Sequence, residues 1–195
     1  KKRIWKAIER FIFPNLLNTI TVNNSIAKLF EEEYGKRPTV IRNLPIAIND
    51  NKVNDGQTFK KGNQLPLEKK IIILQGSGIN VHRGAEEAVE AMKFLDDVVL
   101  LIIGSGDVFE ELKKIIAAHQ LENKVIIKEK MPYERLMQYT QVSDAGLTLD
   151  KNTNLNYLNS LPNKIFDYLQ AGIPVIASNL QEVANIVTTH KVGVI

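Results

Sequence analysis

The feature that most limits what this chain can fold into is an alternation that begins after Lys70. Short, largely apolar runs of strand length follow one another, separated by amphipathic stretches of helix length. The pattern predicts strands over 71–75, 98–103, 125–128, 145–149 and 175–177, with another at Val192. Between them it predicts helices over 85–95, 108–119, 133–139, 163–171 and 181–188. Runs such as Ile71-Ile72-Ile73-Leu74 and Val98 to Ile103 have no polar face, so helices must cover both sides of the sheet. Strands and helices in this order, joined by right-handed crossovers, give an α/β fold: a doubly wound, Rossmann-like parallel sheet. Ligands of such sheets sit beyond the carboxyl ends of the strands, so the residues just after each strand are where chemistry belongs.

Residues 1–48 differ in character. Ile4, Trp5, Ile8, Phe11 and Ile12 recur at helical spacing among Lys1, Lys2, Arg3, Lys6 and Arg10, and Pro14 ends or bends that helix. Asn18 to Val22 reads as a strand. Asn24 or Ser25 is placed to cap a helix running to Tyr34 and stopped by Gly35, and Thr39 to Arg42 reads as a second strand. Residues 49–70, rich in Asn, Asp, Lys, Gly and Gln, read as a solvated linker or loop. The opening at Lys1 without a methionine, and an end just after a glycine in a strand-like run, suggest a piece of a longer protein whose last domain, 71–195, is cut short.

Composition narrows the function classes. With 25 Lys and Arg against 22 Asp and Glu, the formal charge is +3, too small a basic excess to argue for nucleic acid. The absence of cysteine excludes disulfides, thiolate metal sites and a cysteine nucleophile. No apolar run approaches the length of a bilayer span.

Three strand-to-helix loops carry candidate chemistry. In Gly76-Ser77-Gly78-Ile79-Asn80-Val81-His82-Arg83-Gly84, glycines and a helix start can hold an anion and Arg83 adds a forked charge, although the spacing fits neither a dinucleotide fingerprint nor a P-loop. His82 beside it reads as a surface residue. In Gly104-Ser105-Gly106-Asp107, the glycines let backbone approach a ligand and Asp107 reads as a helix cap. The richest segment is Asn159-Ser160-Leu161-Pro162-Asn163-Lys164-Ile165-Phe166-Asp167-Tyr168. Pro162 suits a first helical turn, which leaves the amides of Asn163 and Lys164 free for an anion, and Lys164 brings a cation to the same spot. Asp167 stands among apolar neighbours. Either sugar hydroxyls satisfy it or it faces solvent.

These loops, followed by Ala171-Gly172-Ile173-Pro174-Val175, resemble the carboxyl-terminal half of the family 4 (group 1) glycosyltransferases of the GT-B fold. The resemblance covers about 71–195 and also takes in Asp144-Ala145-Gly146-Leu147. Residues before Asn49 look like the tail of that family's amino-terminal domain, with a crossing segment near Ile41-Arg42-Asn43-Leu44-Pro45.

The resemblance implies transfer of a sugar from a nucleotide diphosphate donor to an acceptor hydroxyl, with retention of configuration and no required metal, in surface polysaccharide or capsule or glycolipid synthesis. The donor, of UDP or GDP type, is a substrate, and no separate cofactor is implied. The family's ribose-binding acid falls on Asp167. Its donor-sugar acid falls on Asn159, which lacks the charge. Of two basic residues that grip the diphosphate, one falls on Arg83 and the other on Ser77, and Lys164 is placed to replace the missing cation. Gly76, Ser77, Gly104, Gly106, Ser160, Leu161, Pro162 and Asn163 complete the expected donor site, with the base resting near Lys130 and Met131.

The partners implied are the nucleotide-sugar donor and a saccharide or lipid-linked acceptor, in a cytoplasmic enzyme. The family's catalytic histidine belongs to the other half, so the chain alone is expected to be inactive. Helix 1–13 either lies on an anionic membrane surface at its inner face or packs on the rest of an amino-terminal domain. A GT-B sugar-nucleotide epimerase and a non-catalytic Rossmann-like interaction domain are the rival readings, the second kept open by Asn159 and Ser77.

Overall fold

A computed structural model describes residues 2–45 and 53–195. The boundary expected at 48–49 lies outside the described residues.

The alternating pattern becomes a six-stranded, all-parallel sheet in the order β5-β4-β3-β6-β7-β8. Its strands are β3 (Lys70–Gly76), β4 (Val98–Gly104), β5 (Val125–Glu129), β6 (Ala145–Thr148), β7 (Val175–Ala177) and β8 (Gly193–Val194). Side chains alternate across each strand, so one run feeds two cores. Ile71 and Ile73 enter a core with Leu101, Ile103 and Val175, while Leu74 enters the opposite one with Leu100, Ile102 and Leu147. Helices α4 (Ala85–Ala91) and α5 (Phe109–Ala118) cover the second face. Helices α6 (Tyr133–Gln141), α8 (Lys164–Ala171) and α9 (Gln181–His190) cover the first. The doubly wound α/β architecture is the one the sequence pattern demands.

The chain leaves β3 toward β4 and β5, then returns to β6 on the other side. Strand order therefore reverses between β3 and β6, and a crevice opens beyond their carboxyl ends.

Upstream lies a smaller parallel pair, β1 (Ile20–Thr21) and β2 (Thr39–Val40), bridged by α2 (Asn24–Tyr34) and flanked by α1 (Lys2–Ile12). The cap of α2 is Asn23, one residue before the expected positions, and its Oδ1 accepts from Ile26 N at 2.9 Å. Phe13, Phe30 and Tyr34 stack to hold α1 on α2, and Lys6 adds ion pairs to Glu9 and Glu33. The other side of α1 remains uncovered: Trp5 and Phe11 are 69% and 78% exposed.

The segment expected to be loop is not all loop. Residues 56–62 form helix α3 (Gly56–Gly62), capped by Asp55, whose Oδ1 accepts from Gln57 N and Thr58 N. Phe59 and Val53 pack on the main core, and Leu65 is buried within it. A polar composition hid this element because only one turn-face of the helix is apolar. A short helix, α7 (Leu155–Leu158), was likewise not expected.

Candidate functional site

A cavity of about 990 Å³ occupies the crevice where strand order reverses. Each wall is the sequel to a strand. Gly76 ends β3 and is followed by Ser77, Gly78, Ile79 and Arg83; Gly104 ends β4; after β5 come Lys130, Met131, Pro132 and Tyr133. The segment Ser160 to Lys164 and Asp167 close it from the start of α8. The sheet thus brings together residues as far apart in sequence as Gln75 and Asp167, which are 92 positions apart.

The floor of the cavity is a polar chain within an apolar region. Asp167 is 8% exposed, and its two oxygens accept from Tyr133 OH at 2.8 Å and Gln75 Nε2 at 3.1 Å. Gln75 is itself turned by Thr140, whose hydroxyl donates to Gln75 Oε1 at 2.7 Å. Burial pushes the Asp167 carboxyl up from its ordinary range, and the hydrogen bonds from Tyr133 and Gln75 hold it back. Each carboxylate oxygen has a second lone pair to offer a ligand hydroxyl. Of the two expectations for Asp167, solvent exposure is excluded. The partners in hand are a glutamine and a tyrosine, neither of which the sequence reading singled out. Gln75 did carry a signal, as a polar residue ending an otherwise apolar buried run.

The cations stand at the rim. Arg83 ion-pairs through Nη1 with Asp150 Oδ1 at 3.0 Å, and its guanidinium lies 4.5 Å from the centre of the Tyr157 ring. Lys164, the first residue of α8, makes no hydrogen bond or ion pair among the described residues. Burial lowers its pKa and Arg83 adds to the effect, while Asp150 opposes it. No backbone bond to a described residue engages the amides of Asn163 and Lys164. An unpaired cation beside free amides at a helix start is an arrangement that receives an anion.

Three expectations are corrected. Asn159, expected at the donor sugar, does not line the cavity. It ends α7, and its side-chain amide donates to Leu155 O at 2.8 Å, satisfying a carbonyl that a helix end leaves without a partner. Its own carbonyl accepts from Asn23 Nδ2 at 2.6 Å, which ties the upstream unit to the loop leading into Ser160. Gly106 also stands outside the lining. A Cβ there would lie 1.9 Å from Ile79 O, so its missing side chain lets two loops meet and makes no room for a ligand. Asp107 is not a cap: α5 starts without a side-chain cap, and Asp107 Oδ1 accepts from Val81 N at 3.0 Å, stapling the two glycine loops together. His82 is exposed. Among the described residues no three His, Asp or Glu side chains gather as a metal site.

Comparison with known proteins gives a consistent picture. The structure is similar to a glycosyltransferase from Rickettsia africae ESF-5, with a TM-score of 0.74 at 17% identity over 97% of this chain and 52% of that one. It is similar to WaaG, a glycosyltransferase involved in lipopolysaccharide biosynthesis, with a TM-score of 0.70 at 14% identity over 90% of this chain and 48% of that one. Anabaena Alr3699/HepE in complex with UDP and glucose gives a TM-score of 0.69 at 16% identity, over 89% of this chain and 47% of that one. At these identities the likeness is one of fold, and the chain spans about half the length of these structures. No curated protein matches it by sequence. The family model described as glycosyl transferases group 1 matches residues 56–195, a span that begins at α3 and takes in every wall of the cavity but Pro45. With the larger part of its length matched, the chain belongs to the group 1 glycosyl transferases.

Proposed function

We propose that the cavity holds the nucleotide-sugar donor of a retaining glycosyltransferase, with the diphosphate between Lys164 and Arg83 and the ribose hydroxyls on Asp167. One observation carries this reading: a cation whose side chain makes no hydrogen bond or ion pair among the described residues, helix amides with no described backbone acceptor, and a buried carboxylate line one crevice at the reversal of strand order. As the sugar leaves, negative charge grows on the diphosphate, and groups already aimed at it stabilise that charge without reorganising. Ser77 leaves one side of the diphosphate without a cation, and Lys164 takes that part. Backbone near Lys130 and Met131 meets the base, with Tyr133 as a wall. The donor is of UDP or GDP type and serves as substrate, with no separate cofactor.

The acceptor is a saccharide or lipid-linked saccharide of a surface polysaccharide or capsule, bound by a partner half, so this chain alone binds donor and transfers nothing. The uncovered apolar face of α1 supports a peripheral contact at the inner face of the membrane. Liposome co-sedimentation of the chain that does not depend on anionic lipid argues against that contact. Calorimetry with UDP, GDP and pyrophosphate tests the donor reading. Binding weakens about tenfold or more in Lys164→Ala and Arg83→Ala. A parent chain that binds none of the three ligands removes the reading in favour of an interaction domain.

A further inference from the structure

Asp150 follows β6, is 1% exposed, and has no part in the donor contacts above. Its Oδ1 holds Arg83 at 3.0 Å, while its Oδ2 and Arg83 Nε are buried and without a hydrogen-bond partner among the described residues. A buried carboxylate left half-satisfied is costly and needs a compensating charge. Two cations supply it. Arg83 is bonded directly, and Lys164 feels the field of Asp150 across the start of α8. The charged groups acting on Lys164 are Asp150, after β6, and Arg83, in the loop after β3.

We propose that Asp150 is the shared counter-ion of Arg83 and Lys164, a positioning residue that holds the guanidinium in place beside the lysine and presents both cations to the cavity. The proposal deepens the donor reading and rests on it for its consequence in binding. That consequence has an unexpected sign. An acid that merely sat beside an anion site would repel the anion, and neutralising it would tighten binding. A counter-ion behaves in the opposite way. Without it the guanidinium is no longer pinned beside the Tyr157 ring, and the lysine loses a neighbour that favours its proton.

The test compares the parent chain with Asp150→Asn, which keeps the shape and an acceptor for Arg83. NMR titration of the Lys164 side chain is the readout that a purely structural role leaves unmoved. Lys164 is expected to lose its proton at a lower pH in Asp150→Asn than in the parent, and pyrophosphate affinity to fall roughly tenfold at the alkaline end of the profile. An unchanged Lys164 titration, or pyrophosphate bound as tightly as by the parent at every pH, overturns the proposal. Should Asp150→Asn not fold, Arg83→Gln gives the complementary reading: freeing Asp150 to face Lys164 alone raises the lysine's titration point, and no rise overturns the proposal. A parent that binds no pyrophosphate, UDP or GDP overturns the donor reading, while the Lys164 titration still decides the role of Asp150.

Discussion

Gly146 in β6 is where the sheet sets the position of the site. A Cβ at this residue would lie 2.3 Å from Cγ of Tyr168 and within 2.5 Å of both neighbouring ring carbons. Ordinary contact begins near 3.4 Å, so the ring would have to retreat by about 1.1 Å. Tyr168 has nowhere to go. It is fully buried, its hydroxyl donates to Leu147 O at 3.0 Å and Ile73 O at 3.3 Å, and it sits on α8 directly after Asp167. Overpacking of this kind costs about 1–3 kcal/mol, from which a Gly→Ala change in a strand recovers roughly 0.5–1 kcal/mol of backbone entropy. The expected net loss for Gly146→Ala is about 1–2 kcal/mol, or a fall in Tm of roughly 2–8 °C for a chain of this size. Because α8 carries Lys164 and Asp167, pyrophosphate and UDP affinity should fall with it. Scanning calorimetry measures the first effect and titration calorimetry the second. Gly62→Ala is the control, since nothing lies within 4 Å of its Cβ and the expected change is neutral or slightly stabilising. If Gly146→Ala melts within a degree of the parent and binds equally well, Tyr168 does not fix the position of α8 and the reasoning fails.

Three further outcomes follow from the same contacts. Donor binding should have a bell-shaped pH dependence narrower than free carboxyl and amino groups give. It is lost on acidification as Asp167, whose pKa burial raises, takes up a proton, and lost toward alkali as Lys164, whose pKa burial lowers, gives one up. Calorimetry across pH checks both limbs. Asn23→Ala removes the α2 cap and the donor to Asn159 O, with an expected loss of roughly 2–3 kcal/mol in urea unfolding, while Asn23→Asp keeps the cap and loses only the second part. Lys164→Met removes a half-buried cation that makes no side-chain hydrogen bond or ion pair among the described residues, so thermal unfolding should move up, or fall by less than a degree, while nucleotide binding disappears.

The succession of strands and helices and the two-faced core were legible because they depend on local period. Ile71-Ile72-Ile73-Leu74 must be covered on both faces whatever lies elsewhere in the chain. Lys164 and Asp167 were also legible, since one short segment holds the helix start, the cation and the acid together. The residues that complete the site were not. Asp150 meets Arg83 across 67 positions and Tyr133 meets Asp167 across 34, contacts created only when β6 lies beside β3 and α6 beside α8. Asn159 shows the opposite failure. The resemblance placed it at the donor sugar, whereas in the structure its side-chain amide donates to Leu155 O at the end of α7.

At Asp167 and Lys164 burial disfavours the charged form of each group, and the two respond to pH in opposite directions. A raised carboxyl at Asp167 means the folded state holds that proton more tightly than the unfolded chain does. Its contribution to stability is therefore full at acid pH and is lost as pH rises through the folded value. A lowered amine at Lys164 works in reverse, favouring the fold at alkaline pH and losing that contribution as pH falls through its own folded value. Between the two, both groups are charged and both burdens are present at once, alongside an Asp150 oxygen and an Arg83 nitrogen with no partner. Apolar side chains at these positions would give a more stable sheet, so stability is not what accounts for the arrangement. An anion with hydroxyl donors relieves these burdens together: it neutralises Lys164, gives Asp167 further hydrogen bonds and leaves Asp150 to Arg83. A ligand of that kind, bound by the folded chain and not by the unfolded one, is therefore expected to raise the unfolding temperature, which scanning calorimetry with and without pyrophosphate measures.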